Sequence, residues 1–152
     1  TRYLADWQLL QVSFFDEFPS GSDIKQRPDI MVDFLGKLFL GEKAVTALAD
    51  LLIPAGELLP VSYDSTVGYL FNPLVIAEEL NAVDTANVKR DQWDALLAPA
   101  FIEDKLSSAI LFRTALDSYR GVYCSDTFKR AIEKAGLKGI VCSEDLRDRP
   151  PV

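Results

Sequence analysis

The sequence predicts an α+β domain: a mixed or antiparallel sheet with helices packed on one side. Three observations predict it. Short strand-like apolar runs recur along the chain, broken by Pro, Gly and polar clusters. A strand-cap-helix unit occurs twice, at an offset of 84 positions that pairs Phe39 with Tyr123, Leu40 with Cys124, Gly41 with Ser125, Glu42 with Asp126, Ala47 with Ala131 and Leu48 with Ile132. The chain has 152 residues, 49% of them hydrophobic and 26% charged. That composition is that of an ordinary globular protein, and one domain over residues 1–152 suffices to bury roughly 70% of the unfolded surface.

Along the chain, Tyr3 to Phe15 suits a strand or a strand after a helical turn, and the two prolines, glycine and polar residues of Asp16 to Pro28 predict a loop. A strand over Phe34 to Leu40 leads through Gly41 and Glu42 into a helix reaching about Leu52, which Pro54 and Gly56 terminate. Glu57 to Tyr63 is a second strand, with Pro60 arguing for an edge or a strand start, and Val67 to Phe71 a third. Asn72-Pro73 opens a turn or a helix. Leu74–Leu80 and Gln92–Ala98 are expected to be helical, Pro99 breaking the second, and Leu106 to Arg113 to be a strand.

After a loop through Asp117, Ser118 and Arg120 comes the second copy of the unit, with Ser125 or Asp126 as helix cap, Gly136 at a left-handed terminus and Gly139 to Cys142 as a last strand. Arg147 to Val152 is expected to be a loose tail. In the two helices, Ala44, Ala47, Leu48 and Leu51 fall opposite Phe128, Ala131, Ile132 and Ala135, each set spaced i, i+3, i+4, i+7 along one helical face. The unit is either a duplicated strand-helix-strand element or the recurrence of a common one.

Composition excludes several function classes. With no histidine, the chain lacks the usual general base, the usual partner of a Ser or Cys nucleophile and the commonest zinc ligand. Its two cysteines, Cys124 and Cys142, lie in strand-like runs where a thiol behaves as a small hydrophobe, and they are expected to be reduced core residues; a disulfide between them requires those strands to be neighbours. No cofactor or metal is expected.

The longest uncharged stretch, Ser65 to Ala77, is shorter than the ~18–20 apolar residues a membrane span needs. Thr1 to Leu10 lacks the apolar core of a signal peptide, so the expected location is the cytoplasm, with the periplasm as alternative where a leader has been removed.

The acid is uneven. Between Ile76 and Asp104 stand Glu78, Glu79, Asp84, Asp91, Asp94, Glu103 and Asp104 against Lys89 and Arg90, a balance of −5 out of a net −7. Such a segment repels nucleic acid and attracts a basic partner over a Debye length of about 8–10 Å; the alternative is a solvated face that serves solubility.

One stretch carries a resemblance. Leu111-Phe112-Arg113, then Val122-Tyr123-Cys124-Ser125-Asp126-Thr127-Phe128-Lys129, and on through Glu133-Lys134-Ala135-Gly136-Leu137-Lys138-Gly139-Ile140, is similar to the immunity-protein family numbered eleven of bacterial polymorphic toxin systems, formerly a domain of unknown function. In that family a Phe-Arg pair precedes a strand ending in Ser and an acid, followed by a helix and an Ala-Gly-Leu-x-Gly signature. Glu57-Leu58-Leu59-Pro60-Val61 and Gly68-Tyr69-Leu70-Phe71-Asn72 also fit. The resemblance spans about Leu38 to Cys142 and is specific only after Leu111; Cys124 and Cys142 depart from the larger residues usual in the family. It implies a cognate antitoxin, whose partner is a protein toxin encoded by an adjacent gene, and it transfers no catalytic residue.

Under that reading the expected toxin contacts are Asp84, Asp91, Trp93, Asp94, Glu103 and Asp104, an aromatic among charges. Against a nuclease toxin with a basic cleft, these acids would stand in for phosphates. The alternative for Trp93 is a core position in the second helical segment. Two further classes compete. A non-immunity interaction module or subunit would lack a toxin-like gene beside it. A small carboxylate enzyme would use Glu78 and Glu79 or Glu144 and Asp145, yet adjacent acids point about 100° apart on a helix and to opposite faces of a strand.

Overall fold

The structure, a computed structural model, describes residues 1–14, 27–33 and 35–146. Phe15, Phe34, the predicted loop up to residue 26 and the predicted tail lie outside the described residues. Among the described residues, five strands form the main sheet in the order β1-β4-β5-β3-β2: β1 (Leu10–Gln11), β2 (Ile30–Val32), β3 (Leu38–Leu40), β4 (Gly56–Tyr63) and β5 (Thr66–Pro73). β1 runs parallel to β4 and the other pairs are antiparallel, which makes the sheet mixed. The fold is α+β, as the sequence predicts.

β4 and β5 are the longest strands, closed by a two-residue turn whose Asp64 and Ser65 both have positive φ, 43° and 61°. That conformation gives a two-residue hairpin the right-handed twist its strands need. Pro60 fits its place: β1 reaches only Val61 and Ser62, and the flank beyond is met by the Trp7 indole, which donates to the Pro60 carbonyl at 2.8 Å. A proline nitrogen facing that flank removes no ladder bond.

Strand register sorts the side chains into two faces. Leu38, Phe71 and Leu58 align across three strands on one face. Helix α1 (Glu42–Leu52) lies over β3, β4 and β5 and buries Ala44, Leu48 and Leu52 there, the i, i+4, i+8 stripe of a helix. Ala47, expected on that stripe, is exposed, because Leu52 takes the inward direction. Helix α2 (Asp126–Ala135) packs on α1 and adds Phe128 and Ile132 to the same core.

The opposite face buries Phe39, Leu59 and Val61 under the N-terminal segment. There a 3-10 turn at Leu4–Asp6 precedes β1, and the Phe14 ring stands edge-on to Phe39 and Tyr63, with centroids 4.9 and 5.9 Å away.

Both copies of the strand-cap-helix unit exist, but their strands belong to different sheets. The first is β3; the second is β9 (Tyr123–Cys124), which among the described residues pairs with β8 (Leu111–Phe112) alone. Ser125 stands at the cap of α2 and bonds the first turn through its backbone carbonyl, which accepts from Phe128 and Lys129, not through its hydroxyl. Gly136 takes the left-handed conformation at the other end (φ 59°, ψ 41°) as expected.

Several expectations fail for local physical reasons. Leu74–Leu80 is not a helix. Arg113 donates to the Val75 carbonyl and accepts from the Ala77 amide, so the chain is held extended at Ile76, then turns through 77–81 to Asn81 at φ 51°. Residues 92–98 are a turn and a strand, β7 (Leu96–Ala98), paired with β6 (Lys89–Arg90). Leu106 ends a 3-10 turn (Glu103–Leu106), so the strand expected from Leu106 starts only at Leu111. Gly139 to Cys142 is not a strand: Gly139 has φ 108°, outside the extended range of a strand, and sits where a Cβ would lie 2.4 Å from Pro28 Cβ.

Gly36 illustrates how tight the β2–β3 connection is. Its φ is +70°, and a Cβ there would lie 2.1 Å from the Tyr119 carbonyl oxygen. Gly36→Ala is therefore expected to destabilise the fold by more than about 1 kcal/mol, read as a lower urea midpoint at unchanged slope. A variant as stable as the parent would rule out this account of the turn.

Candidate functional site

The acid-rich segment forms a lobe on a small core of its own. Ala77, Ala82, Ala109 and Phe112 are buried together; Phe112 stacks on Tyr123 and Phe101 stands edge-on to both, with ring centroids 5.0 to 5.5 Å apart. An isolated bridge between Val83 and Phe101, and the Asp84 amide donating to Ala100, clamp the two ends of the β6–β7 hairpin onto this core.

The hairpin tip is built by one aspartate. Asp91 Oδ1 accepts from the amides of Trp93 (2.8 Å) and Ala95 (2.9 Å), while the Asp91 amide donates to the Ala95 carbonyl. An aspartate that captures nearby amides in this way competes with helix, which is why this segment folds as a turn. Asp94 takes the left-handed conformation (φ 63°), and Arg90 ties it down through a hydrogen bond to its carbonyl (2.8 Å) and an ion pair to its carboxylate (3.7 Å). The outcome is a hydrogen-bonded tip that holds Trp93 out in solvent with 79% of its surface exposed. Leu97 on β7 and Ile102 beyond it are exposed too.

The six candidate residues therefore separate into three groups. Asp84 and Asp91 are half-buried and hold turns, Asp84 accepting from the Asn87 side chain at 2.7 Å. Trp93 and Asp94 sit together at the tip. Glu103 and Asp104 are exposed on the 3-10 turn at the other end of β7. Trp93 is on the surface, not in a helical core. Leu97 escapes the sequence because alternation in a two-stranded hairpin shows its outward face only when the pairing is known, and Ile102 because it lies at the start of the 3-10 turn beyond that hairpin.

The carboxylates considered for catalysis do not converge. Glu78 accepts from the Thr114 hydroxyl (2.6 Å) and the Ala115 amide (2.9 Å), whereas Glu79 is exposed. Glu144 pairs with Lys129 at 2.9 Å, and that contact lowers the Glu144 pKa and raises that of Lys129. A shallow open groove of about 320 Å³ between α1 and β5 is lined by Glu42, Val45, Thr46, Thr66, Val67 and Tyr69, none of them a catalytic candidate.

A second polar cluster is closed to solvent. Glu57 accepts from the amides of Tyr3 (3.0 Å) and Leu4 (3.2 Å) and from the Asn72 side chain (3.0 Å), and Arg113 donates to the Pro73 carbonyl (2.7 Å) and to Asn72 (3.4 Å). It ties the N-terminal segment, β4, β5 and the residue that follows β8 together, and its side chains are buried.

Among the described residues, no three His, Cys, Asp or Glu side chains are placed to hold a metal ion, and no helix is long and apolar enough to cross a membrane. No family model matches this chain, and no curated protein matches it.

Proposed function

We propose that this protein is an immunity protein that neutralises a cognate bacterial toxin, and that it grips the toxin with the β6–β7 hairpin. The observation that carries the binding surface is Trp93, an indole held in solvent by a tip whose backbone is already hydrogen-bonded. Rigid exposed aromatics make good interface anchors because little conformational freedom is lost when they are covered. Asp94 beside it, and Glu103 and Asp104 farther along, supply negative charge that attracts a basic partner surface. The immunity role itself is supported by the resemblance carried from Leu111 to Ile140, and the absence of histidine fits binding better than acid-base chemistry.

The test is co-purification with the product of the neighbouring gene, expecting a one-to-one complex that abolishes toxicity. Trp93→Ala is expected to weaken that complex by about 2 kcal/mol, roughly 30-fold in Kd, with the fold intact. Replacing Asp94, Glu103 and Asp104 with Asn and Gln should slow association, most at low salt. If all four changes leave binding and protection untouched, the hairpin is not the contact surface. A stable complex with an adjacent product that is not toxic would instead identify an adaptor.

A further inference from the structure

We propose that Cys124 and Cys142 form an oxidisable dithiol, which a small-molecule disulfide such as oxidised glutathione converts into an intramolecular disulfide stapling the segment after α2 to β9. The Sγ atoms lie 4.0 Å apart as free thiols, 18 positions apart in sequence, with the whole of α2 between them. Both are half-buried and both pack against the main core, so their approach is imposed by the fold and not by a mobile tail.

The two cysteines play different parts. Cys124 is held in β9 opposite Leu111. Burial, reinforced by Cys142 beside it, pushes the Cys124 thiol up to about 12; Asp126 pushes the same way and Lys129 the opposite way. Cys142 is half-buried like Cys124 but lies outside regular structure, with no strand pairing to hold its backbone, so it is the one assigned the first encounter with a small disulfide. The Cys142 thiolate attacks one sulfur of oxidised glutathione, forming a mixed disulfide and releasing one glutathione. With Cys142 capped as the mixed disulfide, its share of the upward push on Cys124 is gone; Cys124 gives up its proton and its sulfur attacks Cys142 Sγ, forming the internal bond and releasing the second. The two protein thiols lose two electrons and two protons, and the oxidant leaves as two molecules of reduced glutathione.

The consequence falls on the C-terminal segment. Beyond Gly139 it is held by Ile140 and Cys142 against the core and by the Lys129–Glu144 ion pair, in which Glu144 is largely exposed. A covalent link would hold it whatever the hairpin binds, so this inference does not rest on the proposed function.

The test equilibrates the reduced full chain with glutathione mixtures from fully reduced to fully oxidised, then alkylates the remaining thiols and maps them by mass spectrometry. The expected result is joint loss of both thiols in a monomer two hydrogens lighter, with the Cys124 and Cys142 peptides cross-linked. C124S and C142S, checked for fold by circular dichroism, should stop at a glutathione adduct or a dimer between chains. Trypsin should cut after Lys138 several-fold more slowly in the oxidised chain. Full alkylation in oxidised glutathione, or adducts without the internal link, would overturn the dithiol; equal cleavage would overturn the staple.

Discussion

Phe128→Ala is expected to cost about 3–5 kcal/mol, the range for emptying a fully buried aromatic site, out of a total that for such domains is about 5–15 kcal/mol. The size follows from how α2 is held. The helix has ten residues, too few to persist alone in water, so its stability comes from the face it buries. That face consists of Phe128 and Ile132, with Ala131 and Ala135 contributing little area, and Phe128 is the larger by far. Ala44, Leu48 and Leu52 of α1 belong to the same core, so its loss reaches both helices. The midpoint of urea unfolding should fall steeply with little change in slope, and the cysteines flanking α2 should alkylate faster than in the parent. Phe128→Leu should recover much of the loss. A midpoint shift equivalent to less than about 1 kcal/mol would show that α2 is held elsewhere.

Glu57→Gln is expected to destabilise the protein by about 2 kcal/mol, although it changes the side chain by one atom. The two carboxylate oxygens receive three donors, the amides of Tyr3 and Leu4 and the side chain of Asn72. A glutamine there sets its own NH2 against a donor. Burial by itself raises the Glu57 pKa; the hydrogen bonds from Tyr3, Asn72 and Leu4, with Arg2 nearby, outweigh it and hold the group below the usual carboxylate value.

The sign of the pH effect follows. Between the lowered folded pKa and the ordinary unfolded one, the unfolded chain binds more protons, so stability falls as the solution is acidified. The contribution is complete above the ordinary carboxylate range and disappears as pH drops through the folded value. Glu57→Gln should flatten that acid limb of the stability profile and speed hydrogen exchange at the Tyr3 and Leu4 amides. An unchanged acid limb in the variant would mean that other carboxylates govern it.

The elements that could be read in the chain are those specified by neighbours in sequence. α1 and α2 announce themselves by apolar spacing, Gly136 by its place after a helical face, and β4 and β5 by apolar runs bounded by turn residues. The lobe from Ile76 to Phe101 departs from the helices its sequence suggests because its shape is set from afar. Ile76 is held extended by Arg113, Val83 by Phe101, and an Asp91 carboxylate overrides the helical preference of residues 92–98. Trp93 was recognisable as an aromatic among acids, but its outward direction depends on that turn. Glu57 was hidden for a related reason: an acid in a strand reads as exposed until one knows that the N-terminal segment crosses over it.

The edge of the main sheet sets a timetable for synthesis. β2 is capped when the amides of Asp29 and Ile30 donate to the Lys138 carbonyl and the Lys138 amide donates to Asp29, a closure across 109 positions. At about 5–20 residues per second, a ribosome needs some 5–20 s to make the chain between them. Throughout that interval β2 presents unpaired backbone to its surroundings, so the nascent chain is most open to strand-to-strand aggregation, and most in need of a chaperone, before its last helix emerges.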